Sequence, residues 1–274
     1  MSGKQIKKAR KAAKAPVAKK SVVASAPRKL ELATPATTLK LDLACGQNCA
    51  EGFEGVDLPG TGAKMEATLA ALREKTGRTA EEDKLIVDLE KARAGLKHEF
   101  NLLRFPWKWA DNSVLEIHCA HFVEHLPTEF VDEHGNYVPC GTPGAKDLFF
   151  KFFDECYRVL VPEGWMTVVV PCLRNNRAFQ DPTHRRFLPA ETFFYLFEGF
   201  RKVNKLDHYN VRCNYDGKID PIVTNEMNLR SQDVQQRMFA ESWNAIVDWH
   251  VRLKAIKESK ASPGAIAAGP AKSA

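Results

Sequence analysis

Two carboxylates and a glycine turn lie close together in the chain. Asp42 lies in a short apolar run, the turn formed by Ala44, Cys45 and Gly46 follows, and a second short run ends at Asp57. A glycine lets the backbone come close to a ligand, and an acid that ends the second run can accept hydrogen bonds from a ribose. The pattern indicates a cofactor of nucleotide type at the edge of an α/β sheet.

The turn differs from the dinucleotide-binding fingerprint in two ways. Asn48 stands where the second glycine of G-x-G-x-x-G would lie. Asp57 follows Asp42 by 15 residues, whereas dinucleotide folds use about 20. The connection after Gly46 therefore has room for only a turn or two of helix.

A second group of reactive side chains is His121-Phe-Val-Glu124-His125, which has the H-x-x-E-H spacing of inverted zinc peptidases. On a helix, the two imidazoles would share a face and Glu124 would act as the base. The motif begins where an apolar strand ends, and Pro127 follows closely. Little helix is left to hold two ligands, so we expect no metal, and a zinc metallopeptidase is the weaker alternative.

A third group is Asp181-Pro-Thr-His184-Arg185-Arg186. His184 could act as a general base toward a hydroxyl or an amine. Arg185 and Arg186 could hold a phosphate or a carboxylate, and Asp181 is counted with them as a substrate contact. The alternative is an ordinary loop in which Pro182 fixes a turn.

The elements that must position these residues alternate between strand and helix. The predicted strands are Leu39–Leu43, Phe53–Leu58, His98–Leu102, Val114–Ala120 and Trp165–Pro171. The apolar residues of Lys146–Leu160 recur at helical spacing and predict a helix. Strand, helix and strand in this order indicate a parallel sheet with right-handed crossovers. Further along, we predict strands around Lys202–Tyr215 and Ile222–Arg230, and an amphipathic helix that begins near Ser231 and continues to Ile256.

The chain divides into a central domain, residues 37–257, and two tails, 1–36 and 258–274, whose composition predicts disorder. Residues 62–97 are highly charged and predict a helical insertion, with Thr79 and Glu82 as a capping box. The insertion is either a lid or substrate platform, or a surface hairpin without a role. Residues 172–257 are predicted to form the substrate side and the C-terminal strands and helix.

Composition narrows the class of protein. The 274 residues include seven cysteines, an odd number without a C-x-x-C pair, which we interpret as reduced thiols of a cytoplasmic protein. The net charge of the chain is +6, but the charged residues are unevenly distributed. Residues 1–30 carry ten basic residues and no acid, while the remainder carries 30 basic and 34 acidic residues. The basic tail could contact nucleic acid weakly through phosphates, or could simply be solvated. No apolar run is long enough to span a bilayer.

Four segments in order resemble class I S-adenosylmethionine-dependent methyltransferases. LDLACGQN is similar to their LDLGCGxG motif, and GVDL is similar to the acid of their second strand. FPWKWADNSVLEIHCAHFVEHL resembles the segment around their fourth strand, and FFDECYRVLVPEGWMTVVVP resembles their R-V-L-K-P-G-G turn and fifth strand. The likeness covers roughly Leu39–Pro171 and is best to the type 11-like branch of bacterial and phage-borne enzymes.

The resemblance implies a Rossmann-like α/β fold with a seven-stranded, mostly parallel sheet and helices on both faces. It implies S-adenosyl-L-methionine as cofactor and an acceptor of unknown class. Ala44, Cys45 and Gly46 would lie against the methionine and ribose, Asp42 would hold the turn, and Asp57 would accept both ribose hydroxyls.

The resemblance also assigns residues near the base and the methyl group. Asn101 and Leu102 would flank adenine, and Ala120 and His121 would border the methyl group. The candidate catalytic residues are Glu124, His125 and His184.

The chain also departs from the family pattern. Ala44 and Asn48 replace usual glycines, and Asn101 replaces a common aspartate. A binding module that kept the fold and lost turnover is therefore an alternative to an enzyme. The Asp/Asn-Pro-Pro-Tyr/Phe signature is missing, and the Pro-Cys pairs lie outside the fourth-strand position, which argues against familiar DNA methylation.

Overall fold

The computed structural model describes residues 38–257. The predicted tails, 1–36 and 258–274, lie outside the described residues. No helix among the described residues is long and apolar enough to cross a membrane.

The described residues form ten strands and seven α-helices. The strands are β1 Lys40–Leu43, β2 Glu54–Asp57, β3 Leu96–Glu99, β4 Val114–Ala120, β5 Phe130–Val131, β6 Tyr137–Val138, β7 Lys146–Asp147, β8 Leu160–Pro171, β9 Tyr215–Ile222 and β10 Asp248–Ala255. The helices are α1 Thr61–Glu74, α2 Ala80–Gly95, α3 Leu148–Val159, α4 Arg177–Gln180, α5 Glu198–Val203, α6 Asn225–Asn228 and α7 Gln232–Glu241. Short 3-10 helices cover Val123–His125, Ala190–Leu196 and Asp207–Tyr209.

The main sheet has seven strands in the order β3-β2-β1-β4-β8-β10-β9. The pairs β1–β2, β1–β4, β2–β3 and β4–β8 are parallel, and β10 is antiparallel to both β8 and β9. The predicted Rossmann-like, mostly parallel sheet is therefore confirmed. A small second sheet joins β6, β5 and β7.

The core lies where the central strands meet α3. Apolar positions in α3 recur at helical spacing, so Phe152 and Phe153 are fully buried on one face. Asp147 caps the helix, because its carboxylate accepts a hydrogen bond of 2.7 Å from the Phe149 amide. Ile117 of β4 and Met166 of β8 belong to the same core. The predicted helix and strands of this region are confirmed.

The charged segment after β2 consists of α1 and α2, which together form the crossover between the parallel strands β2 and β3. The two helices share a small core that includes Met65, Leu69 and Leu89. The predicted capping box is confirmed: the Thr79 side chain accepts from the Glu82 amide, and the Glu82 carboxylate accepts from the Thr79 amide.

Three predictions for the C-terminal part are wrong. The stretch Lys202–Tyr215 is not a strand, and β9 begins only at its last residue. The stretch Ile222–Arg230 contains α6 instead of a strand, and the helix that begins after Ser231 ends at Glu241.

The chain then forms β10, where we expected the helix to continue. Burial in β10 largely alternates along the strand, and both of its edges are hydrogen-bonded, to β8 and to β9. Pairing with strands that lie far away along the chain outweighed the local helical spacing of apolar residues.

Candidate functional site

Asp42 fixes the turn that leaves β1. Its carboxylate is 2% exposed. One oxygen accepts a hydrogen bond of 2.7 Å from the Ala50 amide, and the other accepts one of 2.7 Å from His118 Nδ1. A buried carboxylate needs such partners, because an unpaired one would be costly. The two bonds tie the far end of the turn to β1 and to β4.

Asp57 ends β2, next to the same turn. Its Oδ2 accepts a hydrogen bond of 2.7 Å from the Gly46 amide, and its Oδ1 accepts one of 2.6 Å from the Leu58 amide. β1 and β2 are parallel neighbours, so Asp42 and Asp57 lie near the same edge of the sheet. A carboxylate oxygen can accept more than one hydrogen bond, so Asp57 retains capacity for a ligand diol.

The turn itself has a left-handed backbone at two positions. Ala44 has φ 54° and Gly46 has φ 52°. Glycine adopts this conformation easily, whereas alanine does so at a cost of about 1–2 kcal/mol. The replacement of a family glycine by Ala44 therefore leaves the conformation of the turn in place.

The Cys45 thiol points into the protein. A Cβ added to Gly55 of β2 would lie 2.7 Å from Cys45 Sγ, so the sulfur occupies the space that glycine leaves. Burial, aided by the negative charges nearby, raises the pKa of the Cys45 thiol to about 12. A ligand over this turn would therefore meet the backbone of Cys45 and not a thiolate.

The two residues predicted to flank adenine differ in accessibility. Asn101 is half-buried, and its side-chain oxygen accepts a hydrogen bond of 2.9 Å from the Leu103 amide. The Leu102 side chain is 4% exposed and belongs to the core. Its carbonyl accepts a hydrogen bond from Trp107 Nε1. The geometry supports a contact by Asn101 and does not support one by the Leu102 side chain.

The end of β4 carries the residues predicted to border the methyl group. Ala120 ends the strand, and His121 follows with φ 53° and an exposed side chain. The next turn is a 3-10 helix of three residues, Val123–His125. It is too short to place His121 and His125 on one helical face, as the weaker alternative of a zinc metallopeptidase would require.

The loop after β8 packs directly against this turn. The amides of Arg185 and Arg186 both donate to the Glu124 carbonyl, at 2.8 and 2.9 Å. The Arg186 side chain is enclosed: it donates to the Leu126 carbonyl at 3.0 Å and pairs with Asp147 at 2.8 Å. This geometry does not support the substrate contact predicted for Arg186.

Arg185 and Asp181 remain accessible. Arg185 is exposed, and Asp181 accepts from the amide and the hydroxyl of Thr183 at 2.8 and 2.7 Å. These hydrogen bonds lower the pKa of Asp181.

The three predicted catalytic side chains converge. Glu124, His125 and His184 each offer one donor atom, and these atoms all lie within 4.8 Å of one another. The two imidazole rings meet edge to face, with centroids 4.7 Å apart. Glu124 is 2% exposed. In sequence, His184 lies 59 residues after His125.

Sequence reasoning missed His118 and Asp248. His118 contacts Asp42 from β4, and alternation along that strand could have identified it. Asp248 begins β10 opposite Pro171, so it lies at the edge of the sheet where β8 ends. It pairs with Arg177 at 3.0 Å, and burial raises its pKa. The apolar spacing of this stretch predicts a helix, so no sequence signal points to Asp248.

No protein-family model matches the chain, and no curated protein matches it. Among solved structures, it resembles a SAM-dependent methyltransferase from Archaeoglobus fulgidus, with 14% identity, 80% of this chain and 86% of that chain covered, and a TM-score of 0.43. A SAM-dependent methyltransferase from Methanosarcina mazei is similar, with 14% identity, 82% and 95% coverage, and a TM-score of 0.38.

A third similar structure is the Haemonchus contortus phosphoethanolamine N-methyltransferase 2 in complex with S-adenosyl-L-methionine. It has 12% identity, 82% of this chain and 50% of that chain covered, and a TM-score of 0.35. These structures are described as methyltransferases, the family whose motifs the sequence resembles.

Proposed function

We propose that the chain is an S-adenosylmethionine-dependent methyltransferase. The observation that carries this proposal is the pair of acids at the ends of β1 and β2, joined through the left-handed turn. Asp57 accepts from the Gly46 amide at 2.7 Å, and Asp42 accepts from the Ala50 amide at 2.7 Å. A turn anchored in this way offers backbone and a carboxylate to a nucleoside at the carboxyl edge of a parallel sheet.

The residues present fit a sulfonium nucleoside. Asp57 can accept hydrogen bonds from two ribose hydroxyls, and Asn101 can donate to and accept from a base. The carboxylates at this edge favour a cationic ligand. When bound, S-adenosylmethionine supplies an electrophilic methyl group on sulfur.

The chain's own residues must then orient the acceptor and exclude water. Ala120 and His121 at the end of β4 border the space where an acceptor would approach. Arg185, exposed on the loop after β8, is available to an anionic acceptor. We also propose a cytoplasmic location, because all seven cysteines, which lie among the described residues, are free.

Calorimetry of S-adenosylmethionine binding to Asp57→Ala tests the proposal. We expect a loss of about 1–3 kcal/mol in binding free energy, because charge-assisted hydrogen bonds disappear. Asp57→Asn keeps one oxygen acceptor and should lose less. Asp83→Ala, which removes an exposed acid of α2, is the matched control and should bind normally.

Unchanged affinity in Asp57→Ala would contradict the assignment. The alternative of a binding module without turnover is tested separately, with methyl-tritiated cofactor in a host lysate. An enzyme labels an acceptor that mass spectrometry can then identify. Cofactor binding without any labelled product would favour the module.

A further inference from the structure

Glu124 is a buried carboxylate without a hydrogen-bond partner. It is 2% exposed, and neither of its oxygens accepts a hydrogen bond from the described residues. The closest cationic candidate is His121, whose Nδ1 lies 3.3 Å from Oε1. This one contact with a half-exposed imidazole leaves a buried carboxylate without hydrogen bonds, which is costly, so the group calls for a further ligand.

The two histidines beside Glu124 are held in one tautomer. His184 Nδ1 lies 2.9 Å from the Ala178 carbonyl, which can only accept, so this nitrogen donates its hydrogen. His125 Nδ1 lies 3.0 Å from Thr183 Oγ1. The Thr183 hydroxyl donates to Asp181 at 2.7 Å, so it accepts from His125.

Both Nε2 atoms therefore carry a free lone pair. In protein metal sites, a ligating histidine typically donates its other ring N–H to a carbonyl or to a carboxylate network. His184 donates in this way to the Ala178 carbonyl. His125 donates to the Thr183 hydroxyl, which donates in turn to the Asp181 carboxylate. His184 Nε2 also lies 4.0 Å from Asp181 Oδ2, beyond direct hydrogen bonding.

Backbone hydrogen bonds join the two segments that carry the three side chains. The amides of Arg185 and Arg186 bond to the Glu124 carbonyl, which joins the loop that carries His184 to the turn that carries Glu124 and His125. The donor atoms are already within 4.8 Å of one another.

We propose that Glu124, His125 and His184 bind a divalent transition-metal ion of the zinc type. Two imidazoles and one carboxylate suit zinc, and also manganese or iron, far better than magnesium, which prefers oxygen ligands and water. Three protein ligands leave at least one position open. Glu124 and His125 lie in the turn that follows Ala120 and His121, and His184 lies on the loop after β8.

The open position suggests a role, and this part of the inference rests on the proposed function. An ion here would bind an oxygen of the methyl acceptor and lower the pKa of an acceptor hydroxyl. The hydroxyl proton would pass to solvent, and the oxygen would form the new bond to carbon while the carbon–sulfur bond breaks. An acceptor with a metal-binding oxygen is therefore the expected substrate class.

Metal titration of the full chain tests the site. After removal of metal with a chelator, we expect the chain to bind one Zn²⁺ ion per molecule, measured by calorimetry, with Mn²⁺ weaker and Mg²⁺ weakest. His184→Ala and Glu124→Gln should lose stoichiometric binding. Thr183→Val keeps all three ligands but removes the acceptor for His125 Nδ1, so it should weaken binding about 10- to 100-fold.

His134→Ala is the matched control, because it removes an exposed histidine with an acidic neighbour, Glu133, outside the cluster. It should bind Zn²⁺ normally. A Co²⁺ spectrum provides a second readout, in which the wild type should show ligand-field bands that His184→Ala lacks. Absence of stoichiometric binding in the wild type would overturn the proposal, and so would normal binding by both His184→Ala and Glu124→Gln.

Cofactor calorimetry on the same samples keeps the two proposals distinct. Variants that bind S-adenosylmethionine normally are folded, so their loss of metal can be assigned to the site. Normal cofactor binding without metal binding would overturn the metal site alone. Metal binding without cofactor binding would overturn the proposed function and leave the metal site.

Discussion

Two of the seven non-glycine residues with a left-handed backbone among the described residues lie at the proposed site. Ala44 and His121 have φ values of 54° and 53°, and they follow β1 and β4, which are neighbours in the sheet. Non-glycine residues in this conformation persist only where surrounding contacts hold them, and they cluster at functional sites. The hydrogen bonds of Asp42 to Ala50 and to His118 supply such contacts for the first turn.

The Cys45 thiol should be unreactive although it lies in the turn. Burial raises its pKa to about 12, so almost no thiolate forms at about pH 8, and the thiolate is the reactive species. We expect iodoacetamide to label Cys140, which is exposed, and to leave Cys45 unlabelled in the folded protein. Peptide mass spectrometry measures both.

The denatured protein is the control for this labelling, since both cysteines should then react. Rapid labelling of Cys45 in the folded protein would show that the turn opens to solvent, contrary to the packing of its sulfur against β2.

Among the elements, β2 packs closely against the turn after β1 because Gly55 of β2 has no side chain. A Cβ at Gly55 would lie 2.7 Å from Cys45 Sγ and 3.1 Å from the Gly95 carbonyl. The strand can therefore lie this close to the turn and to the end of α2 only if position 55 has no side chain. The position of Asp57, two residues further along β2, depends on the same packing.

Gly55→Ala should destabilise the protein by about 1–3 kcal/mol, because the added methyl overpacks a filled space. Thermal and denaturant unfolding measure the change. It should also weaken S-adenosylmethionine binding, because the shift of β2 moves Asp57.

Gly199→Ala is the control for this variant, since a Cβ there meets nothing within 4 Å. It should leave the free energy of unfolding unchanged or slightly higher. Equal stability of the two variants would contradict the packing described for β2.

At the scale of the whole molecule, charge is divided between segments. Residues 1–30 carry ten basic residues and no acid, and the remaining residues carry 30 basic and 34 acidic ones. Attraction to a polyanion must therefore come mainly from the N-terminal segment, because the rest of the chain has a net negative charge.

Deletion of residues 1–36 should abolish weak binding to nucleic acid and leave S-adenosylmethionine affinity unchanged. A mobility-shift titration at several salt concentrations measures the nucleic-acid binding. Binding by the full chain should weaken steeply as the salt concentration rises, as expected for phosphate neutralisation. Equal nucleic-acid affinity with and without the segment would place the contact on the central domain instead.

The sequence alone determined the elements whose signals are local. Short apolar runs around Asp42 and Asp57 predicted two strands, and the aromatic spacing of Lys146–Leu160 predicted α3, because periodicity along a segment records which of its faces is buried. The seven-stranded sheet followed from the family resemblance of four ordered segments.

The tertiary structure decided what depends on distant partners. β10 is a strand because β8 and β9 offer it hydrogen bonds on both edges, although its own spacing suggested a helix. Glu124, His125 and His184 form one cluster because the loop after β8 folds back onto the turn after β4. A linear pattern records neither long-range pairing nor the burial of one carboxylate, since both arise only when separate segments pack together.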